Sequence, residues 1–192
     1  APVLTALTGP QEGAASLPSE IIPVDPGPFT AAFVSRKLRT GPSGTALAVI
    51  GSASAKTAGQ VSWAEGRLRC AAFTLQPGGR TADALPALKT FLGNLGGDED
   101  LILIRPAPEI TAGAEEATAA SLAALGREAL HALGDKICGI LLSGGDTAAA
   151  FFDGSGASSL APLDEIQPLI MGGRILDGEF AGLPAVTKGG LI

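Results

Sequence analysis

The stretch that decides the fold runs from Ile137 to Ala150 and reads ICGILLSGGDTAAA. An apolar run ends at Ser143, two glycines follow, and then come Asp146, Thr147 and a series of small helix-forming residues. This order is typical of a buried strand that passes through a tight turn into the first turn of a helix. The N–H groups of such a turn, together with the positive end of the helix dipole, favour an anionic ligand such as phosphate.

The same alternation of apolar runs and helical patterns extends along most of the chain. Apolar runs predict strands over 46–50, 70–75, 101–104 and 137–142, and the patterns between and after them predict helices over 55–66, 81–95, 113–132 and 147–154. Shorter pieces near 159–170 and 174–187 are predicted to be β-rich. We therefore predict an α/β fold, a mostly parallel sheet with helices on both faces and a short β-rich C-terminal part.

Composition and net charge exclude several classes of protein. Residues 1–45 are rich in proline and glycine and are interpreted as an irregular lead-in with a short helix, so the α/β domain is predicted to span 46–192. Hydrophobic residues make up 46% of the chain, which is too apolar for disorder, yet no apolar run has the roughly 20 residues of a membrane helix. The net charge of −6 argues against a nucleic-acid partner. Because no signal peptide is visible and the two cysteines lie in apolar runs, we predict a cytoplasmic protein.

Two strand-to-helix loops contain the candidate binding residues. In the loop that follows the run 137–142, the glycines Gly144 and Gly145 permit close backbone approach to a ligand. Asp146 or Thr147 is expected to cap the helix, and Asp146 has a second interpretation as a contact to ribose, Mg²⁺ or bound water.

The other loop reads Gly51-Ser52-Ala53-Ser54, and both of its serines are candidates either to cap the next helix or to bind a nucleotide. Thr57 and Gln60 lie near the same helix end. A neutral polar rim of this kind suits a sugar or a purine better than a metal.

A third candidate element lies near the C-terminus, where Lys188 precedes Gly189 and Gly190. The lysine is either a counter-charge for phosphate oxygens or an exposed residue of a frayed terminus. No Walker-type phosphate loop, dinucleotide fingerprint or Ser-His-Asp arrangement is present in the sequence.

These three elements together resemble the four-carbon acid sugar kinase family. The stretch GSASAKTAGQ over 51–60 is similar to that family's Gly-Ser-x-Ser-x-x-Thr-x-x-Gln element, and SGGDTA over 143–148 is similar to its Gly-Gly-Asp/Glu-Thr loop. LDEI over 163–166 resembles the segment that follows this loop, and TKGG over 187–190 resembles the closing element. The segment 167–173 and the last residues depart from the family pattern.

The resemblance implies the ATP-binding C-terminal domain of a two-domain kinase, with ATP and Mg²⁺ as cofactors. It implies that Ser52 or Ser54, the Gly144–Thr147 loop, and Gly189 or Gly190 contact ATP. The base and the sugar-acid site, for a threonate- or erythronate-like acceptor, are then expected on an N-terminal domain. No catalytic residue is assigned within this chain, and a homodimer is left open.

Two other functions remain open on the sequence. The first is a non-catalytic nucleotide-binding or protein-interaction module derived from the same family. The second is a phosphofructokinase-like phosphotransferase that also uses a Gly-Gly-Asp loop, although this leaves the Gly-Ser-x-Ser element unexplained.

Overall fold

The computed structural model describes residues 44–52, 54–108, 113–167 and 170–189. The predicted lead-in over 1–45 lies outside the described residues except for its last two positions. In the described ranges the elements follow one another as β1 (Thr45–Ile50), α1 (Ala55–Glu65), β2 (Cys70–Leu75), α2 (Thr81–Gly93), β3 (Leu101–Pro106), α3 (Glu115–Leu133), β4 (Ile137–Ser143), α4 (Gly145–Ser155), β5 (Leu160–Gln167), β6 (Ile170–Ile175) and β7 (Pro184–Lys188).

The described strands form one seven-stranded sheet in the order β2-β3-β1-β4-β7-β6-β5. The pairs β2–β3, β3–β1, β1–β4 and β4–β7 are parallel, whereas β6 is antiparallel to both β7 and β5. The predicted fold is confirmed: the sheet is mostly parallel and the antiparallel strands belong to the C-terminal part.

The strand order explains why the helices divide unequally between the two faces. From β1 the chain crosses to β2 in one direction, and from β2 through β3 to β4 it returns in the other. Right-handed crossovers therefore place α1 on one face and α2 and α3 on the opposite face. Helix α3 packs against both α2 and α4, so three helices share that face.

Side-chain alternation along the central strands supplies a core to each face. The larger core lies under the three helices and includes Leu47, Val49, Ile102, Ile104, Leu122, Leu125 and Phe151, each 0–2% exposed. The smaller core lies under α1 and consists of Ala48, Ile50, Val61 and Leu103. These strands read as continuous apolar runs because both of their faces are covered.

Two elements extend beyond their predicted boundaries. Strand β3 was predicted over 101–104 and continues through Pro106. The β1–β3 pairing ends at Val49 and Ile104, and on the β2 side the Ala107 N–H donates to the Leu75 carbonyl at 2.8 Å. The missing N–H of Pro106 therefore removes no ladder bond. Helix α4 begins at Gly145, two residues before the predicted start. Among the described residues no helix is long and apolar enough to cross a membrane.

Candidate functional site

The candidate site lies where the carboxyl ends of the neighbouring strands β1 and β4 meet. Strand β1 leads to α1 on one face of the sheet, and β4 leads to α4 on the other. The chain therefore leaves the two loops toward opposite faces of the sheet. This is the topological switch point, where open α/β sheets bind their ligands.

In the turn between β4 and α4, no side chain caps the first N–H groups of the helix. Gly144 is the N-cap residue, has φ +109° and forms no side-chain cap bond. Its own N–H donates to the Lys188 carbonyl at 3.0 Å. The expectation that Asp146 or Thr147 caps this helix is therefore wrong. The N–H groups of the first turn, at Gly145, Asp146 and Thr147, have no acceptor within the helix and are directed beyond its end.

The two loops are in close steric contact. Thr147 is only 1% exposed, and a Cβ atom added to Gly51 would lie 1.8 Å from its Oγ1. The Gly51 N–H donates to the Ser143 carbonyl at 2.7 Å. Each loop thus fixes the position of the other.

The β1–α1 loop forms a network of hydroxyl groups. Ser54 is the N-cap of α1, and its Oγ accepts a bond from the Thr57 N–H at 3.1 Å. Ser52 Oγ lies 3.3 Å from Ser54 Oγ and 3.1 Å from Thr57 Oγ1. The structure therefore gives the capping role to Ser54, and Ser52 is hydrogen-bonded to Ser54 and Thr57.

Lys188 places a buried cation at this network. The residue is 7% exposed, and its Nζ donates to Thr57 Oγ1 at 3.1 Å. No described carboxylate lies within ion-pair distance of this ammonium group. The interpretation of Lys188 as an exposed residue of a frayed end is wrong, because it is paired within β7 and buried.

A second buried polar group lies beside the lysine. Ser143 is paired with Lys188 in the β4–β7 register, and its buried Oγ has no hydrogen-bond partner among the described residues. A buried ammonium without a carboxylate partner and a buried hydroxyl without a hydrogen-bond partner are both costly, and an anion bound near them would lower that cost. Thr57, which joins the cation to the serines, was noted in the sequence analysis only as part of a polar helix face.

The remaining predicted site residues are Asp146, Gly189 and Gly190. Asp146 is exposed and forms no side-chain hydrogen bond or ion pair with the described residues, and it lines a cavity together with Gly51, Gly144 and Thr147. Gly189 follows Lys188 and is half-buried, whereas Gly190 lies outside the described residues. The described part of the chain contains no group of three or more His, Cys, Asp or Glu side chains that would hold a metal ion.

The site sequence and fold match a known family. Residues 47–192 match the family model described as the nucleotide-binding C-terminal domain. The chain therefore belongs to this family, and the predicted resemblance to the C-terminal domain of four-carbon acid sugar kinases is confirmed.

A curated relative and solved structures agree with this assignment. The chain is 28% identical to a D-erythronate kinase of Heliobacterium modesticaldum, in an alignment that covers 90% of this chain and 45% of that protein. A crystal structure of a domain of unknown function from Bordetella bronchiseptica, described as a domain-swapped dimer with bound citrate, superimposes with a TM-score of 0.65 at 24% identity. That match covers 86% of this chain and 42% of the other.

A Haemophilus influenzae protein of known structure shares the fold with a TM-score of 0.55 at 18% identity. It too is matched over 86% of this chain and only 43% of its own length. The chain thus spans less than half the length of the relatives that it matches.

Proposed function

We propose that this domain binds ATP with Mg²⁺ as the phosphate-donor half of a kinase for four-carbon sugar acids. The observation that carries the proposal is the buried Lys188 ammonium, which faces hydroxyl groups at a helix N-terminus and has no described carboxylate partner. Phosphate oxygens supply the missing negative charge, and the N–H groups of the first α4 turn supply further bonds.

Different residues of the site bind different parts of a triphosphate. Lys188 offsets charge on the phosphates, and Ser52 with the N–H groups of Gly145, Asp146 and Thr147 binds their oxygens. This kind of positioning and charge neutralisation is what phosphoryl transfer chiefly requires from a protein.

Asp146 is the candidate contact to Mg²⁺. Its carboxylate is exposed beside the anion site and is not used as a helix cap. Mg²⁺ bound with nucleotides needs only one or two protein carboxylates, because phosphate oxygens and waters complete its octahedron. When bound, the ion would neutralise negative charge that develops on the phosphates.

The acceptor and the partner domain are proposed from the relatives. The similar Heliobacterium protein is a D-erythronate kinase more than twice the length of the matched region. We infer that an erythronate- or threonate-like acid and its base belong to an N-terminal domain outside this sequence. A homodimer is proposed because the Bordetella protein is described as a domain-swapped dimer, and a cytoplasmic location stays a prediction.

Calorimetry with a charge-matched pair of variants tests the nucleotide site. Lys188→Met is expected to weaken Mg²⁺–ATP binding by about tenfold to a hundredfold, which corresponds to the 1.5–3 kcal/mol of a charge-assisted bond. Lys136→Met makes the same change in the 3₁₀ turn before β4, at the opposite end of the sheet, and should leave the affinity unchanged. Absence of ATP and ADP binding by the unaltered chain would overturn the proposal.

The rival binding-module function makes a different prediction. A kinase half should support ATP-dependent phosphorylation of erythronate or threonate when it is joined to an N-terminal sugar-acid domain. A module without catalysis would bind the nucleotide and support no transfer in that fusion.

A further inference from the structure

Strand β2 forms one edge of the sheet, and among the described residues no strand pairs with its outer side. Edge strands of natural proteins often carry a charge, a proline or a bulge that prevents pairing with another chain. The opposite edge strand, β5, contains Pro162, Asp164 and Glu165, and its register with β6 is irregular. Strand β2 reads CAAFTL, pairs with β3 in an unbroken register and has none of these devices. The β2 edge is therefore open to pairing.

The backbone groups that face outward from β2 follow from its bonds to β3. The carbonyls of Arg69 and Leu75 accept from the N–H groups of Leu101 and Ala107, at 3.3 and 2.8 Å. Because the backbone groups of successive strand residues point in opposite directions, the odd-numbered residues between these two also bond to β3. The outward N–H and C=O groups are those of Cys70, Ala72 and Thr74.

A second copy of the same edge presents the complementary pattern. When two copies meet antiparallel across a twofold axis at Ala72, outward-facing residues of one lie opposite outward-facing residues of the other. Ala72 then lies opposite its own counterpart, and Cys70 lies opposite Thr74, so that about six ladder bonds form. A shift of this register by one residue would place inward-facing groups opposite outward-facing ones.

The side chains of β2 fit the same arrangement. Phe73 packs against the larger core and against Phe91, with ring centroids 5.7 Å apart, and its remaining surface would meet the small Ala71 of the second copy. On the other face of the sheet the exposed Ala72 meets another alanine. Arg69, the nearest charged residue in the sequence, lies about 20 Å from its counterpart across the axis. Neither bulk nor like charge therefore opposes the pairing.

We propose that the β2 edge is a dimer interface, at which two copies of this chain extend the sheet through antiparallel β2–β2 pairing centred on Ala72. The inference rests on the homodimer proposed above and deepens it, because it assigns the surface that the copies share. Strand β3 separates this edge from β1 and β4, so the pairing covers none of the residues of the anion site.

A charge placed at the centre of the edge tests the interface. Sedimentation velocity of the unaltered chain over a dilution series should show a monomer–dimer equilibrium. Ala72→Lys places two ammonium groups opposite each other at an exposed position and should weaken dimerisation about tenfold or more. Ala120→Lys, at an exposed alanine of α3, is the matched control and should leave the equilibrium unchanged.

A mixture of oppositely charged variants tests the twofold register. Ala72→Glu alone should dimerise as weakly as Ala72→Lys. An equimolar mixture of the two chains should associate again, because position 72 lies opposite position 72 only in a pair centred on it. A mixture that stays monomeric would overturn the register and with it the inference.

Hydrogen exchange in the unaltered chain, followed by NMR, tests the edge without any substitution. The outward amides of Cys70, Ala72 and Thr74 should exchange slowly in the dimer and rapidly in the monomer. The amides of Ala71 and Phe73, which are bonded to β3, should exchange slowly in both.

The outcomes separate this inference from the proposed function. If the chain is dimeric but the outward amides exchange equally at every concentration, or if Ala72→Lys leaves the dimer intact, this inference alone is overturned. If the unaltered chain is monomeric throughout, the proposed homodimer fails and the inference fails with it. Nucleotide binding, measured by calorimetry on the same chain, is affected by neither result.

Discussion

At the scale of single residues, the tightest steric constraint of the site is at Gly51. Only a residue without a Cβ leaves room for the buried Thr147 side chain of the other loop. The sequence marks Gly51 as a turn glycine. It contains no sign that the atom opposite this glycine belongs to a residue almost a hundred positions further along the chain.

Replacement of Gly51 by alanine should damage stability and binding together. The added Cβ meets Thr147 Oγ1, and such overpacking costs about 1–3 kcal/mol of unfolding free energy. Because relief of the clash moves the α4 turn, nucleotide affinity should fall as well. Chemical denaturation and calorimetry measure the two effects.

Gly59→Ala is the matched control for this substitution. Gly59 is exposed within α1, and an added Cβ meets nothing within 4 Å. Alanine there should raise the unfolding free energy by about 0.5–1 kcal/mol through helix propensity. Equal effects of the two substitutions would contradict the proposed contact between the loops.

Asp146 permits a test of its role in metal binding that is separate from folding. In Asp146→Asn the helix loses at most a dipole interaction of about 0.3–1 kcal/mol, because the side chain forms no cap bond. If the carboxylate contacts Mg²⁺, the variant should bind ATP about tenfold more weakly in Mg²⁺ and with unchanged affinity in excess chelator. An undiminished effect of Mg²⁺ on ATP affinity in the variant would exclude this role.

At the scale of elements, the edge pair β2–β3 is fixed by an ion pair at its amino end. Arg69, just before β2, donates through Nη2 to Asp100 Oδ1 at 2.8 Å and through Nε to Oδ2 at 3.1 Å. Asp98 lies 3.1 Å from the same guanidinium group. The acidic residues 98–100 bind Arg69 and nearby backbone N–H groups, and of the three Asp98 is exposed while Glu99 and Asp100 are half-buried.

This ion pair predicts a specific acid dependence. The side-chain hydrogen bonds from Arg69 lower the pKa of the Asp100 carboxyl to about 2. A lowered pKa means that the pair stabilises the fold above the unfolded-state pKa of about 3.9, and that this contribution disappears as the pH falls through about 2. NMR titration of the side-chain carboxyl carbon measures the pKa directly.

Substitution of the arginine checks the cause of the shift. Arg69→Gln should return the Asp100 pKa toward its ordinary value and reduce the loss of stability between about pH 4 and pH 2. Arg67→Gln removes a nearby guanidinium that stacks on Trp63 at 4.5 Å and should leave the Asp100 pKa where it is. An Asp100 pKa that stays low in Arg69→Gln would assign the shift to another group.

At the scale of the whole described domain, function depends on the strand order. Central β1 and β4 are separated in sequence by two helix–strand units and a further helix, yet they are neighbours in the sheet. Their loops diverge to opposite faces, and β7 enters on the far side of β4 to bring Lys188 against α1. The proposed nucleotide site is therefore assembled from loops whose residues lie more than a hundred positions apart.

The local elements of this protein were predictable from the sequence because they depend on local rules. Apolar runs between glycine-rich turns identified the central strands, and three short motifs identified the family. The sequence left the contacts of single side chains undecided. For Asp146 the sequence left open whether it caps a helix or contacts a ligand. For Lys188 it left open whether the ammonium group binds phosphate or is exposed to solvent. The cavity lined by Ala107 and Thr118 was not recognised.

Only the tertiary structure showed that no side chain caps α4 and that Lys188 is buried, because each of these facts depends on three-dimensional packing. Pairing of β7 with β4 buries Lys188 beside Thr57 and Ser143. The close contact with Thr147 leaves no room for a side chain at position 51. The loops after β2 and β3 and the start of α3 together line the cavity. The sequence by itself determined the strand-turn-helix units and the glycine-rich loop after β4, since hydrophobic periodicity and turn chemistry are local. Sheet order determined how those units meet, and with it the charge and shape of the site.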